Sequence, residues 1–363
     1  MDRYRQSYDI LEKLRLNNGM YLASASQDYH FVWLRDSFYE VLPYLHIDND
    51  YYEKTYHRIL DYFKEYRWKI ELHTKKKPVE DWEYIHIRFD AENIREIDMP
   101  WGHAQHDAIG AVLYGISLGV KNNRPIIRNN EDLEIIQLIV DYLECCEYWQ
   151  DKDSGMWEEN REVHSSSVGA VVAALQALKQ QGLAIVKDEL INKGWETINN
   201  LFPFESETKP VDLAQLSLIY PYGIYTGEKA EVVMKRVEQM LLRDRGVIRY
   251  KYDSYYALVE DRNLPKETYN GIEAEWTFGL PWLGICHNLC GNNKEALSYL
   301  SWTEYVMLDF GKLPELYYSG TNTPNPNTPL GWSNALHILL TKLIVGDSNK
   351  EKETEGNNRV FTC

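Results

Sequence analysis

Apolar residues recur at helical spacing along most of the chain. This pattern predicts an all-α protein with helices over residues 2–16, 36–47, 49–66, 103–121, 129–149, 164–181, 185–200, 211–218, 227–242, 273–290, 292–306 and 330–346. Long segments rich in Tyr, Pro and Asn are the predicted loops, at 67–102, 150–163, 243–272 and 307–329. Because long loops of compact domains usually carry binding or catalytic residues, function is expected there.

About twelve helices with long loops fit a toroid of six helix pairs, an α-solenoid or an irregular bundle. No repeat of about 34 or 40 residues is evident in the sequence, which disfavours a solenoid. No Gly/Ser-rich or Pro-rich linker divides the chain, so residues 1–346 are expected to form a single domain. The polar segment 347–363 is predicted to be a frayed tail. The serines at 165–167 are candidate N-caps of a helix.

The composition narrows the classes of partner. Hydrophobic residues make up 44% of the 363 residues, which is typical of a globular protein. The net charge of −16 disfavours binding to nucleic acid or to an anionic membrane surface, and it fits a neutral substrate. The 27 Tyr and 11 Trp residues suit contacts with sugar rings, although a large helical core with Tyr at its rim would have the same composition.

The five cysteines, two of them adjacent, do not form a disulfide framework, which indicates a reducing compartment. Cys286, His287 and Cys290 lack a second ligand pair at zinc-site spacing, so the cysteines are expected to be structural and no metal or cofactor is expected. The first residues lack the apolar stretch of a signal peptide, and no run of about 18 apolar residues could span a membrane. A cytoplasmic monomer or homodimer is therefore expected.

Two acidic residues in predicted loops are candidates for a catalytic pair. Cleavage of a glycosidic bond needs one carboxyl group that protonates the leaving oxygen and a second, from another loop, that activates water or attacks the sugar. Glu158 is the first candidate, because its neighbour Trp157 could exclude water and raise its pKa. Glu315, between apolar and aromatic residues, is the second. Each also fits a plain alternative, a solvated residue at a helix start or on a surface loop.

Two further segments combine charged and aromatic side chains. Adjacent Arg35 and Asp36 offer donors and acceptors for neighbouring hydroxyl groups of a sugar, or they form a surface ion pair on a capped helix. Residues 101–107 place Trp, His and Asp at a predicted helix start, which suits the wall of a polar pocket. His103 and His106 could be read as metal ligands, but no Glu at metalloprotease spacing accompanies them.

Seven short segments, spread over roughly residues 20–345, carry a resemblance to a known family. They are FVWLRDS (31–37), WGHAQHDA (101–108), GMWEE (155–159), SSSVGA (165–170), GIEAEW (271–276), LPELY (313–317) and PLGWSNAL (329–336). In this order they resemble glycoside hydrolase family 15, the glucoamylase family. They look more like the amino-terminal glucoamylase-like domain of the phosphorylase kinase α and β subunits. Any one segment is weak, but seven in the family's order are specific.

The resemblance implies an (α/α)₆ barrel and an inverting mechanism that releases β-glucose from α-glucosides. By position, Glu158 matches the general acid and Glu315 the general base. Other positions match substrate-binding residues of the family: Arg35, Asp36, Trp101, Glu159, Trp332 and, in a loose alignment, Arg262. The remaining side chains expected at the pocket are Trp33, His106, Asp107, Trp157, Trp276 and Tyr317.

The chain also departs from many members of this family. Bacterial members often carry an amino-terminal β-sandwich domain, whereas here the catalytic part starts almost at once, and no starch-binding module follows. These departures favour a cytoplasmic, exo-acting α-glucosidase whose ligand is a small oligosaccharide. The alternative is a catalytically silent domain that binds sugar or regulates a partner, since the phosphorylase kinase subunits are regulatory.

Overall fold

The computed structural model describes residues 2–259 and 263–358, with side chains to residue 346. In this part of the chain the α-helices are α1 (Arg3–Leu14), α2 (Leu34–Val41), α3 (Tyr51–Glu65), α4 (Arg67–His73), α5 (His106–Lys121), α6 (Asn130–Cys146), α7 (Ser165–Gln181), α8 (Asp188–Leu201), α9 (Glu228–Leu241), α10 (Gly279–Leu289), α11 (Asn293–Val306) and α12 (Gly331–Asn358). Short 3₁₀ helices cover Gln27–Tyr29, Leu42–Tyr44, Asp81–Glu83, Leu213–Leu218, Lys266–Tyr269 and Asp309–Gly311. The strands are β1 (Phe31–Trp33), β2 (Arg88–Asp90), β3 (Glu275–Trp276) and β4 (Leu316–Tyr317). Among these described helices, none is long and apolar enough to cross a membrane.

The helices form two concentric rings. Around the inner ring, α2, α5, α7, the 3₁₀ helix Leu213–Leu218, α10 and α12 each contact the next, and α12 contacts α2 again. The helices α1, α3, α8, α9 and α11 pack outside these inner elements, and α6 packs on α3 and α4. A closed double ring is the toroid of six helix pairs, one of three arrangements that the hydrophobic pattern left open.

Close packing between inner helices depends on small residues. On α5, a Cβ atom at Gly110 would lie 2.6 Å from the carbonyl carbon of Ala170 on α7, so only glycine fits there. Ala170 and Ala174 on α7 are fully buried. The Ala-rich and Gly-rich composition of these segments therefore brings the two helix backbones together.

Inner and outer elements alternate along the chain, so the segments that lead into the inner elements meet at one end of the ring. Two antiparallel strand pairs organise these segments. Strand β1, which leads into α2, pairs with β2, and Trp33 lies opposite Arg88. Strand β3, which leads into α10, pairs with β4, and Glu275 lies opposite Tyr317. The loops at this end carry most of the candidate site residues.

The structure differs from the predicted elements in several places. Helix α4 lies inside the predicted loop 67–102, and the predicted helix 211–218 is a 3₁₀ helix. The helix predicted from residue 273 begins only at Gly279, because the backbone just before it pairs with β4. Helix α12 runs on to Asn358, into the segment predicted to be a tail.

The prediction of serine N-caps was wrong. The serines at 165–167 are the first residues of α7, and the N-cap position is His164, which makes no side-chain cap. The buried carboxylate of Glu205 replaces it, because it accepts hydrogen bonds from the hydroxyl groups of Ser165 and Ser166 and from the Ser166 backbone N–H. A carboxylate from a distant loop therefore occupies the positive end of the helix.

Candidate active site

Glu158 lies at the end of a tight turn whose backbone is unusual. Gly155 and Glu158 both adopt a positive φ, +64° and +62°, and the Glu158 N–H donates to the Gly155 carbonyl at 3.2 Å. A positive φ costs energy in a residue with a side chain, and such strain is concentrated at functional sites. The turn directs the Glu158 carboxyl group to Arg35, whose Nη2 lies 3.3 Å from its Oε1.

The loop that carries Glu158 is held by a buried aspartate. The Asp153 carboxylate accepts a hydrogen bond from the His106 backbone N–H at the start of α5, at 2.9 Å. It also pairs with Nδ1 of His164, just before α7, at 2.9 Å. Burial alone would lower the pKa of His164, but this hydrogen bond and the charge of Asp153 raise it to about 9. Asp153 thus ties the turn to the N-terminal ends of two inner helices.

Arg35, at the start of α2, joins three polar groups. Its Nη1 donates to Gln105 Oε1 at 2.9 Å and to Asp107 Oδ2 at 3.1 Å, while its Nη2 faces Glu158. Burial raises the pKa of the Glu158 carboxyl group, and the positive charges of Arg35 and Arg88 only partly offset this effect. A carboxyl group with a raised pKa is suited to hold a proton near neutral pH.

Glu315 is buried in a different set of contacts. The Tyr29 hydroxyl donates to its Oε1 at 2.5 Å, and the side-chain amides of Asn325 and Asn327 donate to its Oε2 at 2.5 and 2.9 Å. Burial raises its pKa, and these three donors together with the charge of Arg249 oppose the rise. Three donors that point at one carboxyl group fix its orientation and favour its ionised form.

Asp36 connects the two glutamates. Burial raises its pKa, Arg35 opposes the rise, and the negative charges of Glu158 and Glu315 add to it, so that the pKa of Asp36 is about 7. The three carboxyl groups are therefore close enough to interact through their charges. The structure brings the carboxylates of two separate loops and the Arg35–Asp36 pair into one pocket.

A second buried arginine neighbours this group. Arg249 donates from Nη2 to Glu159 Oε1 at 2.8 Å, and it binds both oxygens of the fully buried Asp253 at 2.7 Å. Glu159 also accepts a hydrogen bond from Lys209 Nζ at 3.2 Å. Although burial would raise the pKa of Glu159, the charges of Arg249 and Lys209 lower it, so this carboxyl group is ionised.

Stacked aromatic rings form the floor of the pocket. The Trp332 ring stacks on Phe278, with centroids 4.7 Å apart, and on Tyr39, at 4.4 Å. Trp157 lies 6.1 Å from Trp276 by ring centroids. The indole Nε1 atoms of Trp276 and Trp332 are buried and have no hydrogen-bond partner among the described residues. The N–H donors of this stack are suited to the hydroxyl groups of a sugar.

The other expected pocket residues fall into two groups. Trp33 and Trp101 lie around Arg88, whose Cζ is 5.8 Å from the first ring centre and 3.4 Å from the second. The His106 ring pairs with Asp151 Oδ2 at 2.9 Å, and the Tyr317 hydroxyl donates to the Val306 carbonyl at 2.6 Å. Both polar tips are thus engaged inside the protein.

Several residues of the pocket were missed by sequence reasoning: Tyr29, Arg88, Gln105, Lys209, Arg249, Asn325 and Asn327. Arg262, expected as a second substrate-binding arginine, lies outside the described residues, whereas Arg249 of the same predicted loop contacts Glu159. The signal for Arg249 was its place in the run RYKYDSYY, where charged and aromatic residues are concentrated in a long loop.

A model of a known protein family matches a large part of the chain. The model of glycosyl hydrolases family 15 matches residues 8–214, more than half of the chain. The chain belongs to this family. The matched part includes Arg35, Asp36, Trp101 and Glu158, whereas Glu315 lies beyond it.

The curated relatives of this family 15 chain are regulatory proteins. It is 27% identical to the phosphorylase b kinase regulatory subunit alpha, skeletal muscle isoform, of Oryctolagus cuniculus, over 90% of the chain and 31% of that protein. It is also 27% identical to the probable phosphorylase b kinase regulatory subunit alpha of Caenorhabditis elegans, over 77% of the chain and 26% of that protein. The chain thus spans about a quarter to a third of the length of these relatives.

Solved structures share the fold. A wild-type glycosidase matches with a TM-score of 0.78 at 19% identity, over 94% of this chain and 96% of the other. The glucoamylase of Saccharomycopsis fibuligera matches with a TM-score of 0.65 at 13% identity, over 95% and 94%. The (α/α)₆ barrel expected from the sequence is therefore confirmed.

Proposed function

We propose that this family 15 protein is an inverting, exo-acting α-glucosidase that hydrolyses short α-glucosides and releases β-glucose. The observation that carries the proposal is a pair of carboxyl groups from separate loops, Glu158 bonded to Arg35 and the buried Glu315 bonded to Tyr29. Glycosidic hydrolysis needs such a pair, one on each side of the bond. The family and its glycosidase-like fold support this choice.

Glu158 is assigned as the general acid. Burial raises its pKa, which favours the protonated form, and in the proposed step its proton passes to the glycosidic oxygen as the bond to the anomeric carbon breaks. Arg35, 3.3 Å away, then stabilises the carboxylate that remains. The leaving group departs as a neutral alcohol that carries the proton from Glu158.

Glu315 is assigned as the general base. It accepts a proton from a water molecule, whose oxygen attacks the anomeric carbon on the face opposite to the leaving group. Attack on that face inverts the configuration, so an α-glucoside gives β-glucose. The donors Tyr29, Asn325 and Asn327 hold the base in place and favour its charged form.

The remaining pocket residues are assigned to one glucose unit. Asp36 accepts hydrogen bonds from hydroxyl groups of the non-reducing sugar, and the indole N–H of Trp332 donates to another. A point variant of a similar glycosidase, 18% identical over 94% of this chain, was solved in complex with glucose, so a protein of this fold binds one glucose unit. Binding of a single terminal unit makes the activity exo-acting on short substrates.

The second candidate is a sugar-binding regulatory domain without turnover. It is favoured by the curated relatives, which are regulatory subunits of a kinase, and it implies a protein partner as well as a sugar. Both candidates use the same pocket, so they differ only in whether the bound glucoside is cleaved.

The test is a panel of maltose, isomaltose, trehalose and short dextrins, assayed for glucose with purified protein. Release of glucose from at least one of them is expected, and release from none contradicts the hydrolase. Titration calorimetry with the same sugars separates the alternatives, because binding without turnover supports the regulatory domain. Glu162→Gln, on the same loop but bonded to Thr208, is a matched control for assays of Glu158 variants.

A further inference from the structure

A group of basic side chains adjoins Glu158 but has no part in the mechanism above. Arg88 lies with its Cζ 3.4 Å from the ring centre of Trp101 and 4.7 Å from that of Phe31. The rings of His86 and His103 stack 3.6 Å apart at an angle of 8°. Arg88, His86 and His103, here called the basic cluster, are each more than nine-tenths buried.

The basic cluster contains polar atoms that lack hydrogen bonds. Among the described residues, no hydrogen-bond partner is found for Nε and Nη2 of Arg88, for the ring nitrogens of His103 or for Nε1 of Trp101, whereas Nε2 of His86 faces Glu96 Oε2 at 3.9 Å. Buried polar atoms of proteins are almost always paired, and such a concentration needs an explanation. A bound group that accepts several hydrogen bonds would supply the missing partners.

The charges around the basic cluster are unbalanced. Arg35 pairs with Asp107 and Glu158, and neighbouring Lys69 pairs with Glu96 at 2.9 Å, but Arg88 forms no ion pair within the described part of the chain. The acidic group whose charge acts on Arg88 is Glu158. In the proposed role of general acid, Glu158 holds a proton before the reaction, and the Arg88 guanidinium is then buried without a counter-charge among the described residues. Such a charge is costly unless a ligand neutralises it.

Both histidines of the basic cluster are neutral. Burial, together with the positive charges of Lys69 and Arg88, lowers the pKa of His86 to about 2 and that of His103 to about 3. A neutral imidazole offers one N–H donor without a further positive charge. Arg88 therefore supplies the charge of the basic cluster, and the rings and Trp101 supply N–H donors.

We propose that the basic cluster binds an oxyanion, a carboxylate or a phosphate, carried by the leaving group of the glucoside. The proposal rests on the proposed function, because the leaving group is the part of the substrate that faces Glu158. The charges of Arg88 and Glu158 interact, so the basic cluster lies on the side of the pocket where the leaving group is expected. Arg88 also stacks on Trp101, which is only partly buried and therefore borders the opening of the pocket. The net charge of −16 disfavours anions over the protein as a whole, whereas this position is locally positive.

The test compares two glucosides that differ in one charge, α-glucosylglycerol and α-glucosylglycerate. The wild-type protein is expected to hydrolyse the glycerate with a kcat/KM roughly tenfold or more above that of the glycerol, the effect of one charge-assisted contact. Arg88→Met is expected to bring this ratio towards one. Arg15→Met removes an arginine stacked 3.7 Å over Tyr51 elsewhere in the fold, so it should keep the wild-type ratio.

A ratio near one in the wild-type protein, or an unchanged ratio in Arg88→Met, overturns the proposal. If neither glucoside is cleaved, titration calorimetry with inorganic phosphate and with glycerate decides the binding site, while the panel of maltose, isomaltose, trehalose and short dextrins decides the hydrolase activity. The proposal is supported if the wild-type and Arg15→Met proteins bind one of these anions and Arg88→Met does not. Absence of binding to both anions by the wild-type protein then overturns it.

Discussion

The hydroxyl of Tyr29 donates a 2.5 Å hydrogen bond to Oε1 of Glu315, and it also bonds the Tyr255 hydroxyl at 2.9 Å. Burial, followed by the negative charge of Glu315, raises the pKa of Tyr29 well above its usual value, so the phenol keeps its proton. Tyr29 is therefore a permanent donor to the proposed general base, and Tyr255 holds it in position.

The first prediction concerns Tyr29→Phe. In the wild-type protein the hydrogen bond from Tyr29 opposes the rise in the pKa of Glu315. The substitution removes this bond and therefore raises that pKa further. A general base must be ionised, and the acidic limb of the pH profile of kcat/KM should therefore move to higher pH. Tyr255→Phe, which leaves the Tyr29–Glu315 contact in place, should move it less. An acidic limb that stays in place, or moves to lower pH, contradicts the role of Tyr29.

The second prediction concerns Glu158→Gln. The amide keeps the shape of the side chain but cannot donate the proton, so kcat should fall by about a hundredfold or more while sugar binding is nearly unchanged. Steady-state kinetics and titration calorimetry measure the two effects. The Glu162→Gln control should retain wild-type kinetics. Hydrolysis at the wild-type rate by Glu158→Gln would show that Glu158 is not the acid.

The third prediction concerns stability at Arg249. Arg249→Met leaves Asp253 buried without its partner, and the loss of one partner of a buried ion pair costs roughly 3–5 kcal/mol. Urea denaturation should show this decrease in the free energy of unfolding. Arg67→Met removes contacts to Glu71 and Glu134 on the surface and should cost less than about 1 kcal/mol. Equal effects of the two substitutions would contradict the structural role of the Arg249–Asp253 pair.

The fourth prediction compares two glycines of α12. A Cβ atom at Gly331 would lie within bonding distance of Glu40, which is buried, so Gly331→Ala should destabilise the protein by about 1–3 kcal/mol. Gly346 has open space around it, and Gly346→Ala should be neutral or stabilising by up to about 1 kcal/mol. Thermal unfolding distinguishes the two variants. Equal stability of Gly331→Ala and Gly346→Ala would contradict the close packing of Glu40 against Gly331.

Much of the fold could be predicted from the sequence, because amphipathic helices show their period locally. The positions of α3, α7 and α11 illustrate this point. The closure of the ring could not be read from the pattern, since it depends on contacts between distant helices. The start of α10 was also misplaced, because pairing of β3 with a strand some forty residues later overrides the local helical signal.

Some residues of the candidate site could likewise be recognised in the sequence, and others could not. Glu158, Arg35 and Asp36 lie in short motifs with mixed charged and aromatic residues, and such motifs can be recognised in the sequence. Tyr29 and Arg249 become part of the pocket only when separate loops meet, and neither stands in one of the seven family-like segments. Their contacts with Glu315 and Glu159 cross 286 and 90 residues of sequence.

The central claim is that Glu158 and Glu315 hydrolyse an α-glucoside with inversion. The most direct test is ¹H NMR of the first product formed by the purified protein from the best substrate of the panel, recorded before the anomers equilibrate. β-Glucose as the initial product, absent with Glu158→Gln, is the expected result. Initial release of α-glucose, or no release of glucose from any α-glucoside, would contradict the claim.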